Sequence, residues 1–241
     1  MNALSLFSGI GGLDLAAEWA GFKTVAFCER DEFCQKVLAA RWPHVRIFDD
    51  VRTIATNELP AIELIHGGYP CQPFSHAGKR EGHADERHLW PAMRRIVQEM
   101  RPTWVVGENV VGHVTVGLDD VLRDLEEDGY EARAFVFEAR AVGAPHGRYR
   151  TFIVANADRR GRISQRVCKG VGRVGGGEEN NVLPLEKPSG IHGHNGWQIE
   201  PGIRRVVDGI PSGLDRLRSL GNAVVPQQAY PIFAAIAETY N

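Results

Sequence analysis

Residues 3–21 read ALSLFSGIGGLDLAAEWAG. An apolar run, ALSLF (3–7), meets a glycine-rich turn. The turn opens straight into LDLAAEWAG (13–21), apolar at helical spacing and stopped by a glycine. Strand, glycine turn and helix in immediate succession are the first unit of a parallel α/β sheet. The alternation continues with TVAFCE (24–29) as a strand, DEFCQKVLAARW (31–42) as a helix, and VRIF (45–48) and IELIH (62–66) as strands. LWPAMRRIVQEM (89–100) predicts a helix with Pro91 in its first turn, where proline is tolerated. TWVVGE (103–108) predicts a strand, GLDDVLRDLEEDG (117–129) a helix, EARAFVFEA (131–139) and RTFIVAN (150–156) strands, and AYPIFAAIAETY (229–240) a last helix. The pattern predicts a mostly parallel, doubly wound, Rossmann-like sheet whose ligand site lies at the carboxyl ends of its strands.

Between about 157 and 200 the pattern stops. GVGRVGGGEENN (170–181) and KPSGIHGHNGWQ (187–198) carry turn residues without a period, which predicts a small irregular insert. The expected organisation is a catalytic and cofactor-binding domain over 1–156, the insert over 157–200, and a C-terminal segment over 201–241 that packs back on the first domain.

The bulk numbers exclude little. At 241 residues, 43% hydrophobic and 24% charged, the chain reads as an ordinary soluble protein with one sizeable core. No window approaches the roughly 18 apolar residues of a membrane span. The N-terminus lacks a basic leader region, so a cytoplasmic location is expected. The four cysteines include no CxxC pair, which speaks against zinc and against a disulfide framework. A net charge of −2 makes any phosphate-binding surface local. RRGRISQRVCKGVGR (159–173) is one such stretch, though by itself it reads rather as a solvated, mobile basic loop.

FSGIGGLD (7–14) suits close approach of a ligand to the backbone. The dinucleotide pattern GxGxxG needs a third glycine where Asp14 stands. A carboxylate there disfavours a pyrophosphate and tolerates an ammonium group. Glu29 ends the second strand about 20 residues on, the usual place for an acid that binds ribose hydroxyls, though a surface acid fits too. Adenosine with an amino-acid tail suits both features better than a dinucleotide does.

GGYPCQPFS (67–75) raises a second question, because it holds Cys71 between Pro70 and Pro73 directly behind a buried strand. A thiol with an ordinary pKa near 8.5 is a poor nucleophile at neutral pH and needs a polar, electropositive setting. GENV (107–110) puts Glu108 on the same rim, as a solvated acid or as one held beside a bound base. HGRYR (146–150) puts Arg148 and Arg150 on one side of an extended segment, for phosphate or carbonyl recognition or as a salt-bridged strand edge.

Taken together, FSGIGG (7–12), Glu29, DDV (49–51), GGYPCQPFS, GENV, HGRYR and RLRSLGNAVVPQ (216–227) resemble, in order, the cytosine-C5 DNA methyltransferases. The resemblance spans the chain except the insert. It implies S-adenosylmethionine as cofactor and double-stranded DNA as partner, with no metal. Cys71 is then the thiolate that adds to cytosine C6, Glu108 the group at N3 and the exocyclic amine, Arg148 the contact to the base carbonyl, and Arg150 an ordering residue. Phe7 would stack on adenine, and Ser8, Gly9, Gly11 and Gly12 would line the methionine tail. Glu29 would take the ribose, Asp50 and Val51 the adenine edge, and Pro70 and Leu89 would close the pocket. Asn222, Ala223 and Val224 would return from the C-terminus to complete the same site. Ser75, Lys79, Arg80 and Arg87, on a loop behind Cys71, suit DNA phosphates and the stack a flipped base leaves. A monomer is the default, and the resemblance allows a cognate restriction endonuclease.

The chain departs from the family pattern at His146, where glutamine is usual, at Arg30, where some members carry an aromatic, and in the shortness of the insert, which bears on DNA specificity. Two alternatives share the fold: a tRNA cytosine-C5 methyltransferase and a non-catalytic nucleic-acid-binding module. The first is disfavoured by the missing Cys-Phe-Thr segment and the second by the intact Cys71, Glu108 and Arg148. An amino-directed methyltransferase lacks its Pro-Pro-aromatic motif, and HGHN (192–195) serves a metal poorly.

Overall fold

The computed structural model describes residues 1–70, 89–115, 117–157 and 219–240. The described elements are β1 (Asn2–Leu6), α1 (Gly12–Trp19), β2 (Lys23–Cys28), α2 (Glu32–Arg41), β3 (Arg46–Phe48), β4 (Leu64–Gly67), α3 (Trp90–Met100), β5 (Trp104–Val110), α4 (Leu118–Glu127), β6 (Glu131–Glu138), β7 (Tyr149–Asn156) and α5 (Pro226–Ala237). They form one seven-stranded sheet of order β3-β2-β1-β4-β5-β7-β6. Every pairing from β3 to β5 is parallel; β7 runs antiparallel to both β5 and β6. The Rossmann-like, mostly parallel fold read from the sequence is the observed one.

Local chemistry sets the element ends. Asp31 caps α2 by accepting from the Cys34 amide at 3.0 Å. A proline opens both α3 and α5. The last helix therefore begins at Pro226, three residues before the apolar run that predicted it, and gives way to a 3-10 turn at Glu238–Tyr240. Residues alternate between two cores, as strands buried on both faces require. Leu4, Leu6, Val105, Ile153 and Ala155 face α3 and α4, with Met93, Ile96 and Leu125. Ala3, Trp104, Val106, Phe152 and Val154 face α1 and α5, with Leu13, Phe233 and Ile236.

The strand order reverses between β1 and β4, and such a reversal opens a crevice at the carboxyl edge. Because β7 is antiparallel, its first residues, Tyr149 and Arg150, share that edge with the ends of β1, β2, β4 and β5. The expected insert and the stretch from 201 to 218 lie outside the described residues apart from Ala157. Among the described residues no helix is long and apolar enough to cross a membrane.

Candidate functional site

The loop after β1 is made of left-handed backbone. Phe7 has φ 54°, Gly9 55° and Gly11 84°. Gly9 donates its amide to Glu29 Oε2 at 2.7 Å, and Asp31 donates to Glu29 Oε1 at 2.8 Å, so the acid at the end of β2 is fixed by main chain from two sides. The glycines differ in use. A Cβ on Gly9 would meet nothing within 4 Å, because Gly9 borders open space. Gly11 packs on Trp42, where a Cβ would lie 2.5 Å from the ring, and it does not line the cavity. Gly12 packs on the C-terminal segment, where a Cβ would lie 2.7 Å from the Val224 carbonyl oxygen.

Asp14 does not present a charge to a ligand, contrary to the sequence reading. Its side chain turns under the loop, 1% exposed. It accepts from Thr24 Oγ1 at 3.1 Å, lies 3.0 Å from Ser5 Oγ, and stands 3.6 Å from His66 Nε2. Burial pushes its pKa up to about 7, against the hydrogen bonds from Ser5 and Thr24. Burial also drives His66 down to about 3, so the imidazole is neutral and the two groups are neutral together in the window between those values, below about pH 7. The geometry agrees. Ser5 has one proton, and both Ser8 Oγ at 2.9 Å and Asp14 Oδ2 compete for it. A protonated Asp14 can donate to Ser5 and free that hydroxyl for Ser8.

At the other wall, Glu108 in β5 is 9% exposed, with Arg150 Nε 2.7 Å from its Oε1. The two form an ion pair whose N–H is not aligned as a hydrogen bond. Burial raises the Glu108 pKa to about 7, with the positive charges of Arg150 and Arg148 working against it. Beside it, Asn109 Nδ2 donates to the Tyr69 carbonyl at 3.0 Å, and Tyr69 Oη lies 2.7 Å from His113 Nε2. Tyr69 is thus held at both ends immediately before Pro70. The sequence reading singled out neither Tyr69 nor His113, whose contact spans 44 positions and leaves no local signal.

The two walls enclose a cavity of about 630 Å³, within the range of small-molecule sites. Of the residues assigned to a cofactor, Phe7, Ser8, Gly9, Gly12 and Glu29 line it from the first wall. Asp50, Val51, Pro70 and Leu89 line its floor and rim, and Asn222, Ala223 and Val224 close it from the C-terminal segment. Asp50 is engaged by Arg52, whose main-chain and side-chain N–H groups hold its carboxyl below the usual range. Glu108 and Arg150 line the cavity too. Arg148 does not: it donates to the Gly221 and Ala223 carbonyls at 2.5 and 2.6 Å. Arg30 lines the cavity and is exposed, as is His146 on its loop. Cys71, Ser75, Lys79, Arg80 and Arg87 lie outside the described residues. Cys28 and Cys34 are buried free thiols, pushed by burial to about 12 and about 11 and so unreactive. Among the described residues no cluster of His, Cys, Asp or Glu could hold a metal.

A Rossmann-like sheet with a cavity at its switch point, walled by a carboxyl and an arginine, defines a class of doubly wound α/β proteins with a ligand-sized site at the carboxyl edge. Comparison narrows it. The profile of the family described as C-5 cytosine-specific DNA methylase matches residues 1–169. The chain is 35% identical over 168 residues to the type II methyltransferase M2.BsuMI of Bacillus subtilis, covering 65% of this chain and 42% of that protein. It is 36% identical over 159 residues to M.FnuDI of Fusobacterium nucleatum, covering 64% and 46%. The match therefore spans less than half the length of these curated relatives. A prophage-encoded chain of Escherichia coli superposes with TM-score 0.59 at 26% identity, covering 72% of this chain and 51% of that one. The DNMT2 structure from Spodoptera frugiperda, 22% identical with TM-score 0.58 and covering 66% and 50%, shares the fold. The chain belongs to the C-5 cytosine-specific DNA methylase family.

Proposed function

We propose that this chain transfers a methyl group from S-adenosylmethionine to C5 of a cytosine flipped out of duplex DNA. The observation that carries the reading is Glu108, buried, raised to about 7 and set beside Arg150 across one cavity from the glycine loop and Glu29.

The residues fit the cofactor. Gly9 leaves open space where a side chain would intrude. Glu29 spends one lone pair of each oxygen on main-chain N–H groups and keeps acceptor capacity for ribose hydroxyls. Phe7 would cover the adenine, Asp50 and Val51 its edge, Ser8 and Gly12 the methionine tail, with Asn222 opposite. When bound, S-adenosylmethionine supplies an electrophilic methyl group beside the base.

The protein's part is to make C5 nucleophilic. Cys71 follows Pro70 in the chain, one residue past the doubly held Tyr69. Its thiolate forms the S–C6 bond, and the C5–C6 electron pair moves onto C5. Glu108 gives its proton to N3, which removes the charge that addition would build on the ring; a carboxyl raised to about 7 still holds that proton in a large share of molecules at neutral pH. Arg150 then stabilises the carboxylate left behind. After methylation, solvent takes the C5 proton, the C5–C6 double bond re-forms as the thiolate leaves C6, and N3 returns its proton to the Glu108 carboxylate. Flipping the base costs a few kcal/mol, a cost for Ser75, Lys79, Arg80 and Arg87 to offset. The relatives' names, type II methyltransferases, support a DNA-modification role; a cytoplasmic setting and a cognate restriction endonuclease belong to the same proposal.

The test is transfer of labelled methyl from S-adenosylmethionine to duplex genomic DNA, with tRNA alongside and Cys71→Ala as control. Label in DNA that vanishes in the variant is the expected result. Label in tRNA alone, or in neither, rejects the DNA reading.

A further inference from the structure

The two arginines of HGRYR, alike in sequence, do different things. Arg150 faces Glu108 and the cavity. Arg148 turns the other way. Its Nη2 bridges the carbonyls of Gly221 and Ala223 at 2.5 and 2.6 Å. Among the described residues no carboxylate lies within ion-pair distance of it, so the bonds its guanidinium makes there go to main-chain carbonyls.

The main chain of Arg148 is held as well. Its carbonyl accepts from Gln228 Nε2 at 3.0 Å, and the same amide donates to the Phe137 carbonyl at 2.7 Å. Gln228 is fully buried in the first turns of α5. Arg148 and Gln228 together therefore join the start of β7, the end of β6, the segment 221–223 and the last helix. That segment packs on the glycine loop through the contact between Gly12 and the Val224 carbonyl. Asn222, Ala223 and Val224 line the same cavity as Phe7 and Ser8. Without Arg148, two carbonyls lose a charged donor, and the wall keeps as side-chain anchor on this stretch the Cys34–Ser219 contact of 3.4 Å.

We infer that Arg148 is a positioning residue of the cofactor site: it straps residues 221–224 against the glycine loop rather than contacting the flipped base. The inference rests on reading the cavity as the S-adenosylmethionine site. It predicts that the two arginines separate cleanly into cofactor affinity and chemistry.

The experiment is calorimetric binding of S-adenosylmethionine to the full chain, with methyl-transfer kinetics and amide hydrogen exchange, for wild type, Arg148→Ala and Arg150→Ala. Losing a charged donor to two carbonyls weakens cofactor binding by roughly ten-fold or more. Arg148→Ala is expected to show that loss, to exchange faster at 221–225, and to recover most of its kcat at saturating cofactor. Arg150→Ala is expected to bind cofactor like wild type and to lose transfer at saturation. Arg148→Ala with wild-type affinity and lost transfer overturns the inference and makes Arg148 a base contact. A wild-type chain that fails to bind S-adenosylmethionine overturns the cofactor reading and this inference with it, and the wild-type trace separates that failure from the first. Should Arg148→Ala not fold, Arg148→Lys carries the test. Its single shorter ammonium is expected to give a few-fold loss of affinity and faster exchange at 221–225, and no change in either overturns the proposal.

Discussion

Two carboxyl groups in this chain are pushed to about 7 by burial, one beneath the glycine loop and one at the cavity wall. Asp14 is 1% exposed, its contacts are Ser5, Thr24 and the neutral His66, and the nearby charge that acts on it is the like charge of Glu18. Glu108 borders the cavity and faces Arg150, with Arg148 near enough to feel. The end value is alike and the work differs. Burial sets the proton affinity of both; access to a reacting group and a nearby cation decide which can pass a proton on. A perturbed pKa selects candidates, and geometry chooses among them.

The comparison breaks most sharply in methyl-transfer rate. Glu108→Gln removes the transferable proton and is expected to lower kcat by roughly 10²-fold or more. Asp14→Asn mimics the protonated carboxyl, donating to Ser5 and accepting from Thr24, and is expected to stay within about three-fold of wild type. Equal losses in both variants would show that the shared shift, not its place, matters. The pH profile belongs to the same test. Wild-type kcat should fall as pH rises through about 7, where Glu108 gives up its proton, and Asp14→Asn should keep that fall.

A smaller effect is expected at Gly12. Alanine there puts a methyl 2.7 Å from the Val224 carbonyl oxygen, a main-chain atom that must move. Cofactor affinity should drop about ten-fold, the size of one lost charged or well-placed contact, with kcat at saturation little changed. An unchanged calorimetric affinity would separate the glycine loop from the C-terminal wall.

The smallest effect is in stability against pH. A carboxyl raised on folding binds its proton more tightly in the native state, so stability falls as pH rises from the unfolded value, near 4, through about 7. His66, lowered to about 3, acts in the opposite sense between about 3 and 6.5 and drops out above that. Between pH 6.5 and 7.5 only the two acids of this set remain, and each should lower Tm by roughly 2 °C. Asp14→Asn should remove its share of that decline while Glu108 keeps its own, and a variant melting curve with the full wild-type slope would show that Asp14 titrates elsewhere.

Much of the fold was legible because it is periodic. The runs at 3–7, 24–29, 62–66 and 103–108 became β1, β2, β4 and β5 with small changes at their ends, since buried parallel strands leave short apolar stretches between turn signals. The direction of β7 was not legible, because an apolar strand reads the same either way. That direction brings Arg150 to the carboxyl edge, opposite Val110 and two residues from the position opposite Glu108. The cavity wall at the glycine loop was legible for a related reason: glycines and the acid at a strand end are local marks. Asp14 was misjudged because the sequence gives its position in the loop and not the side of the loop it takes.

From the sequence alone come the sheet, the glycine loop, the order of motifs and the residue types able to do the chemistry, all properties of neighbours along the chain. Only the tertiary structure could separate Arg148 from Arg150, place Asp14 in the core and Glu108 at the cavity, and close the site with residues 221–224. Burial and partner choice are set by chain segments far apart in sequence, and Arg148 meets its carbonyl partners across 73 and 75 positions. No local pattern carries that information.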